Sequence, residues 1–289
     1  MPELPEVETV TRGLNANVLR REIIDVEIEH SKIVREISTE IFKKKIKHRR
    51  FVFFSRLAKN ILGELDNGDV LWIHLKMTGH LLFKPLKLDA VLVGNLNDKF
   101  NGYIRLSFIF KDGSRLCFSD LRKFGRIKLI EAPIKSIKKN PEKFGLGKIG
   151  PEPLAKGSGL DLFTKALLRS KKPIKPLLLV PAVVAGIGNI YASEILFRAK
   201  ISPLRLGNSL KQKEIKNIWQ KAHLIFKKAI KLGGTSVSDF RNIRGEKGCF
   251  GKELLVYGRA GKKCPVCAKI VQRIKQGGRS TFYCSFCQK

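Results

Sequence analysis

Two stretches at opposite ends of the chain carry residue types whose spacing allows chemistry. Near the C-terminus, Cys264-Pro-Val-Cys267 is followed after sixteen residues by Cys284-Ser-Phe-Cys287. This C-x2-C-x16-C-x2-C pattern suits a tetrahedral zinc site in which each pair supplies two thiolates from a tight turn. With four thiolates the site is closed, so a single Zn2+ there is structural and not catalytic. A tail of about 40 residues buries too little surface to fold alone, and the metal would supply its stability. Cys117 and Cys249 lack such spacing and read as ordinary small thiols.

The other stretch is the start, MPELPEVE. A residue as small as Pro2 lets the initiator Met1 be removed, which would leave a secondary amine as the free N-terminus. An α-amino group titrates near about 7.7–8.0, far below lysine at ~10.4. Proline's ring amine is intrinsically more basic, so it needs neighbouring positive charge to act as a nucleophile. Deprotonated, it can attack an electrophilic sugar carbon, with a carboxyl at Glu3 passing protons during attack and ring opening. A plainer reading stands beside this one. Glu3, Glu6 and Glu8 also favour the positive end of a helix that begins near Pro5. These eight residues alone do not choose between the two.

Composition narrows the partner. In 289 residues there are 57 Lys and Arg against 25 Asp and Glu, a formal net charge of +32. Such a surplus, spread along the whole chain, repels itself unless a polyanion is near, which makes nucleic acid the leading partner. A membrane surface is the weaker candidate, since no basic amphipathic anchor stands out. A hydrophobic fraction of 43% excludes a disordered basic tail. No apolar run approaches the roughly 18 residues of a spanning helix, and no signal segment is visible. The expected setting is the cytoplasm, where cysteines are read as metal ligands before disulfides.

The elements that must position these residues follow from periodicity. Val7, Val10, Leu14 and Val18 recur at helical steps and predict an N-terminal helix with one buried face. From Ile23 to about residue 130 the texture is short β-type runs, with Asp112-Gly113 marking a tight hairpin. Residues 131–153, dense in Lys, Pro and Gly, read as a linker. Helical patterns then dominate as far as Gly233-Gly234, which reads as a C-cap. A polar, Gly-rich segment over 235–251 leads into the Cys-rich tail. The expected division is 1–132, 133–248 and 249–289.

Three further stretches suit a polyanion. Between the cysteine pairs, Gln276-Gly277-Gly278-Arg279-Ser280-Thr281 offers a tight tip with an arginine for a phosphate, or merely a hairpin turn with a solvated Arg279. Gly186-Ile187-Gly188 lacks the third glycine of a dinucleotide fingerprint, its place being held by Tyr191. A glycine turn feeding a helix at Asn189 still presents backbone N–H groups and an amide to an anion, though a plain helix cap looks the same. In Phe118-Ser-Asp-Leu-Arg122-Lys-Phe124-Gly125 a strong donor and an aromatic stand two residues apart. An aromatic wedge fills a gap in a base stack, and an arginine satisfies an orphaned base edge. Met77, at the turn Lys76-Met77-Thr78-Gly79, adds an apolar finger or is a plain turn residue. Lys59 alone is one lysine among many.

Taken in order, PELPEVE, the MTG turn, R-K-F-G, LGKIGPEPL, GIGNIYASEILFRA and the four cysteines closely resemble the bacterial formamidopyrimidine-DNA glycosylase family, over essentially the whole chain. The resemblance implies an α+β multidomain fold: an N-terminal β-sandwich with a leading helix, a helix–two-turn–helix domain and a zinc-finger hairpin, with double-stranded DNA held between the halves. It implies a base-excision-repair enzyme, monomeric and nucleoid-associated, that needs no protein partner. Such an enzyme flips an oxidised purine out of the duplex, removes it through a Pro2 Schiff base and nicks the strand by β,δ-elimination. In that family's pattern Glu3 is the proton-transfer acid, Glu6 a supporting carboxylate and Lys59 the lysine near the lesion. Met77, Arg122 and Phe124 fill the vacated space. Asn189 and Arg279 grip flanking phosphates, with Arg279 also counted in the catalytic set, and His74, Arg105 and Lys165 are further DNA contacts. The 235–251 segment resembles a mobile lid over the flipped base.

The chain departs from the family pattern at Ala58, where glycine is usual, at Leu121, where proline is common, and at Ser238, where many relatives are basic. The stretch 86–101 is longer than expected and has no assigned role. The rivals are the sister branch, endonuclease VIII, which acts on oxidised pyrimidines, and a catalytically silent zinc-containing DNA-binding protein. Leu4 speaks against the first, which usually has glycine there. Pro2, Glu3 and Lys59 together speak against the second.

Overall fold

The expected N-terminal helix forms as α1 (Leu4–Asn17) and buries Leu4, Val7, Val10 and Leu14. Pro5, in its first turn, has no hydrogen bond to lose there, and Glu3 and Glu6 form a reciprocal capping box. The structure, a computed structural model, describes residues 1–87, 94–95, 97–155, 157, 159–237 and 239–289. Ser238 and much of the 86–101 stretch lie outside the described residues.

By packing, the chain divides into two compact units, Met1–Gly147 with Leu232–Gly251, and Lys148–Lys231 with Lys252–Lys289. The Gly-rich segment belongs with the β-rich unit because Phe240 and Ile243 sit in that unit's core.

In the first unit the strands are β1 (Ile23–Ile28), β2 (Phe51–Leu57), β3 (Asn60–Leu65), β4 (Val70–His74), β5 (Gly79–Lys84), β6 (Ile104–Phe110), β7 (Arg115–Asp120) and β8 (Arg126–Ile130). They form two four-stranded sheets, in the orders β1-β6-β7-β5 and β2-β3-β4-β8, with every pairing antiparallel. Alternate apolar residues from both sheets, including Phe51, Phe54, Ile73, Leu81, Phe108 and Phe118, meet the α1 stripe and close one core. Helix α2 (Thr39–Ile46) joins through Phe42 and Ile46, and its start is capped by Ser38 Oγ, which accepts from the Ile41 N–H at 3.3 Å. The Asp112-Gly113 hairpin forms as predicted between β6 and β7.

Residues expected to be a linker fold instead. Helix α3 (Ile134–Lys139) seats Ile137 against Leu62, Val70, Trp72 and Ile130, with Phe144 and Leu146 closing the cluster. Spaced apolar residues find a sheet face there, which the local density of Lys, Pro and Gly conceals.

The second unit holds α4 (Gly159–Leu168), α5 (Ile174–Leu178), α6 (Asn189–Ala199) and α7 (Gln212–Lys231), followed by the hairpin of β9 (Gln272–Gln276) and β10 (Arg279–Tyr283). The apolar side chains Phe197, Val256 and Val271 pack with Cys264 and Cys284, tying the cysteine-rich hairpin to α6. Glu194, fully buried on α6, reinforces this. Its carboxylate accepts from the backbone N–H groups of Leu255, Val256 and Tyr257 at 2.9–3.0 Å and from Arg198. Among the described residues, no helix is long and apolar enough to cross a membrane.

Candidate active site and nucleic-acid interface

Pro2 is buried at the head of α1. Glu3 and Glu6 beside it are each only 2% exposed, unusual for carboxylates. The capping box accounts for part of this, since Glu6 Oε2 accepts from the Glu3 N–H at 2.8 Å. Glu6 Oε1 accepts from the Thr235 N–H at 2.7 Å, which binds the Gly-rich segment to the N-terminus. Gly234 makes the approach possible: its φ is +85°, and a Cβ there would lie 3.0 Å from Glu6. Glu6 is thus held by two backbone donors.

Lys59 lies on the tight turn between β2 and β3. The turn is held by Asn60, whose Nδ2 donates to the Leu57 carbonyl at 3.0 Å while its Oδ1 accepts from Trp72 Nε1 at 2.8 Å. A chain of bonds also ties it to α1. Arg56 donates to the Ala58 carbonyl at 2.8 Å and to Glu8 at 2.9 Å. Burial pushes the Glu8 carboxyl up, but Arg12 and Arg56 outweigh it and hold it below the usual carboxylate value. Ala58 has φ +55°, the left-handed conformation that favours the glycine usual in the family pattern.

His74, at the end of β4, accepts from the Lys76 N–H through Nδ1 at 2.9 Å, which leaves its proton on Nε2. Burial, then the charges of Lys76, Lys59 and Arg126, push its pKa down to about 3. It is therefore a neutral donor in a basic neighbourhood. The sign for stability follows from linkage: the unfolded chain takes up a proton near the ordinary value of 6.5 and the folded chain does not. Stability should fall as pH drops below about 6.5, by about 2 kcal/mol at pH ~5. Urea unfolding of wild type and His74→Gln at pH ~7 and ~5 checks this, with the variant expected to lose about 2 kcal/mol less.

The turns carrying Met77 and Arg122 are brought together by one buried carboxylate. Asp120 Oδ1 accepts from Thr78 Oγ1 and from the Arg122 N–H at 3.2 Å, while Oδ2 accepts from the Gly125 N–H at 2.7 Å. Arg105 donates to the Asp120 carbonyl at 2.9 Å, which gives this candidate DNA contact a bracing position. Above the node, the Arg122 guanidinium lies 4.8 Å over the Phe124 ring and donates to Met77 Sδ at 3.4 Å. Met77 and Phe124 are 41% and 47% exposed. The three residues form a projecting tip, apolar on two sides around a cation. Sequence reasoning named the tip and missed its support. A buried acid flanked by two glycine-bearing turns is the signal that could have found Asp120.

In the second unit Asn189 opens α6, with Gly188 as its N-cap. Its side chain is bonded within the protein through Oδ1, which accepts from Lys175 Nζ, and through one of the two Nδ2 hydrogens, which donates to the Ser280 carbonyl at 3.0 Å. Lys175 also donates to that carbonyl at 3.2 Å. This closes a triangle joining α5, α6 and β10 around a lysine that is 0% exposed. Sequence reasoning missed Lys175 because nothing distinguishes it from the other lysines. Arg279 is exposed and pairs with Gln276 across a two-glycine turn. Lys165 is exposed in the last turn of α4, outside the Asn189 triangle.

The four cysteine sulfurs of Cys264, Cys267, Cys284 and Cys287 all lie within 4.8 Å of one another. The Cys264–Cys287 and Cys267–Cys284 pairs are 3.9 and 3.5 Å apart. A tetrahedron with Zn–S of about 2.3 Å has edges near ~3.8 Å, so the donor set fits zinc. The four thiols hold one structural zinc.

Comparison with known proteins follows the same order along the chain. The family models that match describe the formamidopyrimidine-DNA glycosylase N-terminal domain over residues 1–127, its H2TH domain over 149–241, and a zinc finger found in FPG and IleRS over 261–289. That succession defines a class, the DNA glycosylases built from a sandwich, a helix–two-turn–helix and a zinc finger. A formamidopyrimidine-DNA glycosylase of Streptococcus mutans is 39% identical with all of both chains covered, and one of Desulforamulus reducens is 37% identical with 100% and 99% covered. Among solved structures, a Lactococcus lactis FPG mutant in complex with Fapy-dG-containing DNA superposes with a TM-score of 0.87 at 35% identity, covering all of both chains. The L. lactis Fpg bound to abasic-site DNA gives 0.86, covering 99% of each. The chain belongs to the formamidopyrimidine-DNA glycosylase family, whose members carry glycosylase and AP lyase activity.

Proposed function

We propose that this chain excises oxidised purines, 8-oxoguanine and formamidopyrimidines, from double-stranded DNA and then nicks the strand. The observation that carries the reading is Pro2 buried at the head of α1 against two buried carboxylates, within a chain similar over its full length to enzymes of that name. Once Met1 is removed, the Pro2 nitrogen bonds to C1′ and the glycosidic bond breaks, the base leaving with a proton. The C1′–O4′ electrons then move to O4′, which takes a proton through Glu3, giving an iminium between Pro2 and the opened sugar. Loss of a C2′ proton expels the 3′ phosphate, and a second elimination expels the 5′ phosphate. Hydrolysis of the iminium restores the amine. Glu6 holds the N-terminus in place, and Lys59 supplies positive charge to the reacting centre. Met77, Arg122 and Phe124 occupy the gap left by the flipped nucleotide, and Asn189 and Arg279 bind phosphates. His74, Arg105 and Lys165 are assigned as outer DNA contacts.

Borohydride trapping on duplex DNA with one 8-oxoguanine opposite cytosine tests the reading, using protein shown by mass spectrometry to lack Met1. A covalent adduct mapping to Pro2, and lost in Pro2→Gly, is expected. An adduct only with an oxidised pyrimidine would move the chain to endonuclease VIII-like specificity. Tight binding without any adduct would leave a silent DNA-binding protein.

A further inference from the structure

The long stretch over 86–101 has no role in the chemistry above, yet its described residues are bonded to the Gly-rich segment at several points. Asp98 uses both oxygens. Oδ1 accepts from the Phe100 N–H at 3.0 Å and caps the turn Lys99–Gly102, while Oδ2 accepts from Arg241 Nη2 at 2.8 Å. Arg241 is 2% exposed, with its guanidinium 5.1 Å from the centre of the Phe100 ring and Nη1 donating to the Phe240 carbonyl at 2.8 Å. A buried guanidinium is costly unless paired, and Asp98 supplies counter-charge to it.

Asn101, also buried, bonds on both sides of the seam. Its Oδ1 lies 2.8 Å from His80 Nε2 on β5, and its Nδ2 donates to the carbonyls of Asn95 at 2.7 Å and Gly245 at 3.2 Å. Residue 245 has no room for a side chain: a Cβ there would sit 2.6 Å from Asn101 Nδ2, and φ is +77°. The Phe83 N–H donates to the Ile243 carbonyl at 2.8 Å, extending the contact to the end of β5. The Gly-rich segment is therefore bound at two places, by Glu6 at Thr235 and by this seam over 241–245.

We propose that Asn95 and residues 97–101 buttress the 240–247 part of the Gly-rich segment, and that Asp98 and Arg241 are positioning residues that set how firmly this part is held against the extruded base. The proposal rests on the glycosylase reading and deepens it. A segment that must grip a base pays the entropy of ordering on each binding event, and one ordered beforehand does not. The buttress therefore favours bases that fit a preformed grip. Substrates without a base gain nothing from it.

That asymmetry gives the test. Asp98→Asn, Arg241→Met and the double variant are compared with wild type in two measurements. Hydrogen exchange of the 240–247 amides reports the buttress directly. Single-turnover cutting of an 8-oxoguanine duplex and of an abasic-site duplex reports its consequence. Exchange is expected to quicken by about ten-fold or more, excision of 8-oxoguanine to slow by about ten-fold, and nicking at the abasic site to stay within about two-fold. The double variant should be no worse than the poorer single one, since the pair acts as a unit. Unchanged exchange, or unchanged excision despite faster exchange, overturns the proposal. So does an equal loss on both substrates, which is what general destabilisation produces. A wild-type protein that cuts neither duplex defeats the glycosylase reading and the gripping role with it, while the exchange comparison still decides whether the buttress exists.

Discussion

Removing zinc with a strong chelator, or replacing Cys267 with serine, is expected to unfold the β9–β10 hairpin and lower affinity for duplex DNA by at least about 100-fold. The hairpin's own apolar interior is small. Val271, Phe282 and the cysteines themselves make up most of it, and its ties to the rest of the unit are mainly polar: Glu194 to residues 255–257, Gln288 to the Ile201 carbonyl, and the Ser280 carbonyl to Lys175 and Asn189. Structural zinc supplies about 10–16 kcal/mol in comparable small sites, more than that packing could replace. The loss should reach beyond the finger. The Ser280 carbonyl is the point at which Lys175 and Asn189 are held, so an unfolded hairpin releases a buried lysine and the first residue of α6 together. The unit that contains Pro2 has its own core and should keep its urea transition. Metal content, a DNA titration and that transition are the measurements. Zinc loss with DNA affinity intact would mean that the hairpin takes no part in binding.

The zinc site was the most legible feature because four thiolates at two fixed spacings encode a geometry locally. The α1 stripe and the Asp112-Gly113 hairpin were legible for the same reason, each being a pattern read within one element. The tip of Met77, Arg122 and Phe124 was half legible. Residue types suggested a wedge and a donor, but their convergence depends on Asp120 reaching across from β7 to the turn before β5. Lys175 and Arg241 were not legible at all. In a chain with 57 basic residues, two buried ones carry no mark in the sequence, and Arg241 finds its carboxylate 143 residues away. Ile137 shows the opposite failure, a local composition that says linker while a distant sheet face offers a site for burial. What the sequence hid was consistently a long-range pairing.

The second large effect concerns the two carboxylates at the head of α1, which local reasoning could not separate into chemistry and capping. Their surroundings separate them. Glu6 accepts two backbone N–H bonds, one on each oxygen. A glutamine there keeps one acceptor and turns an NH2 toward the other N–H, so Glu6→Gln should cost about 1–3 kcal/mol of stability, with activity falling as the N-terminus loosens. Glu3 has a different task. Its N–H donates to Glu6, and its carboxyl caps the helix by accepting from the Glu6 N–H. Glutamine retains that acceptor, so Glu3→Gln should unfold within about 1 kcal/mol of wild type and bind lesion DNA as tightly. It cannot exchange a proton, and base excision should slow by about 100- to 10,000-fold. Urea unfolding, a DNA titration and single-turnover excision distinguish the two variants. If Glu3→Gln behaves like Glu6→Gln, with stability and activity declining together, then both glutamates serve the helix and the proton donor lies elsewhere. A stable, tightly binding and nearly inert Glu3→Gln would show that the N-terminal helix cap also supplies the acid, which explains why so basic a chain buries two carboxylates beside its first residues.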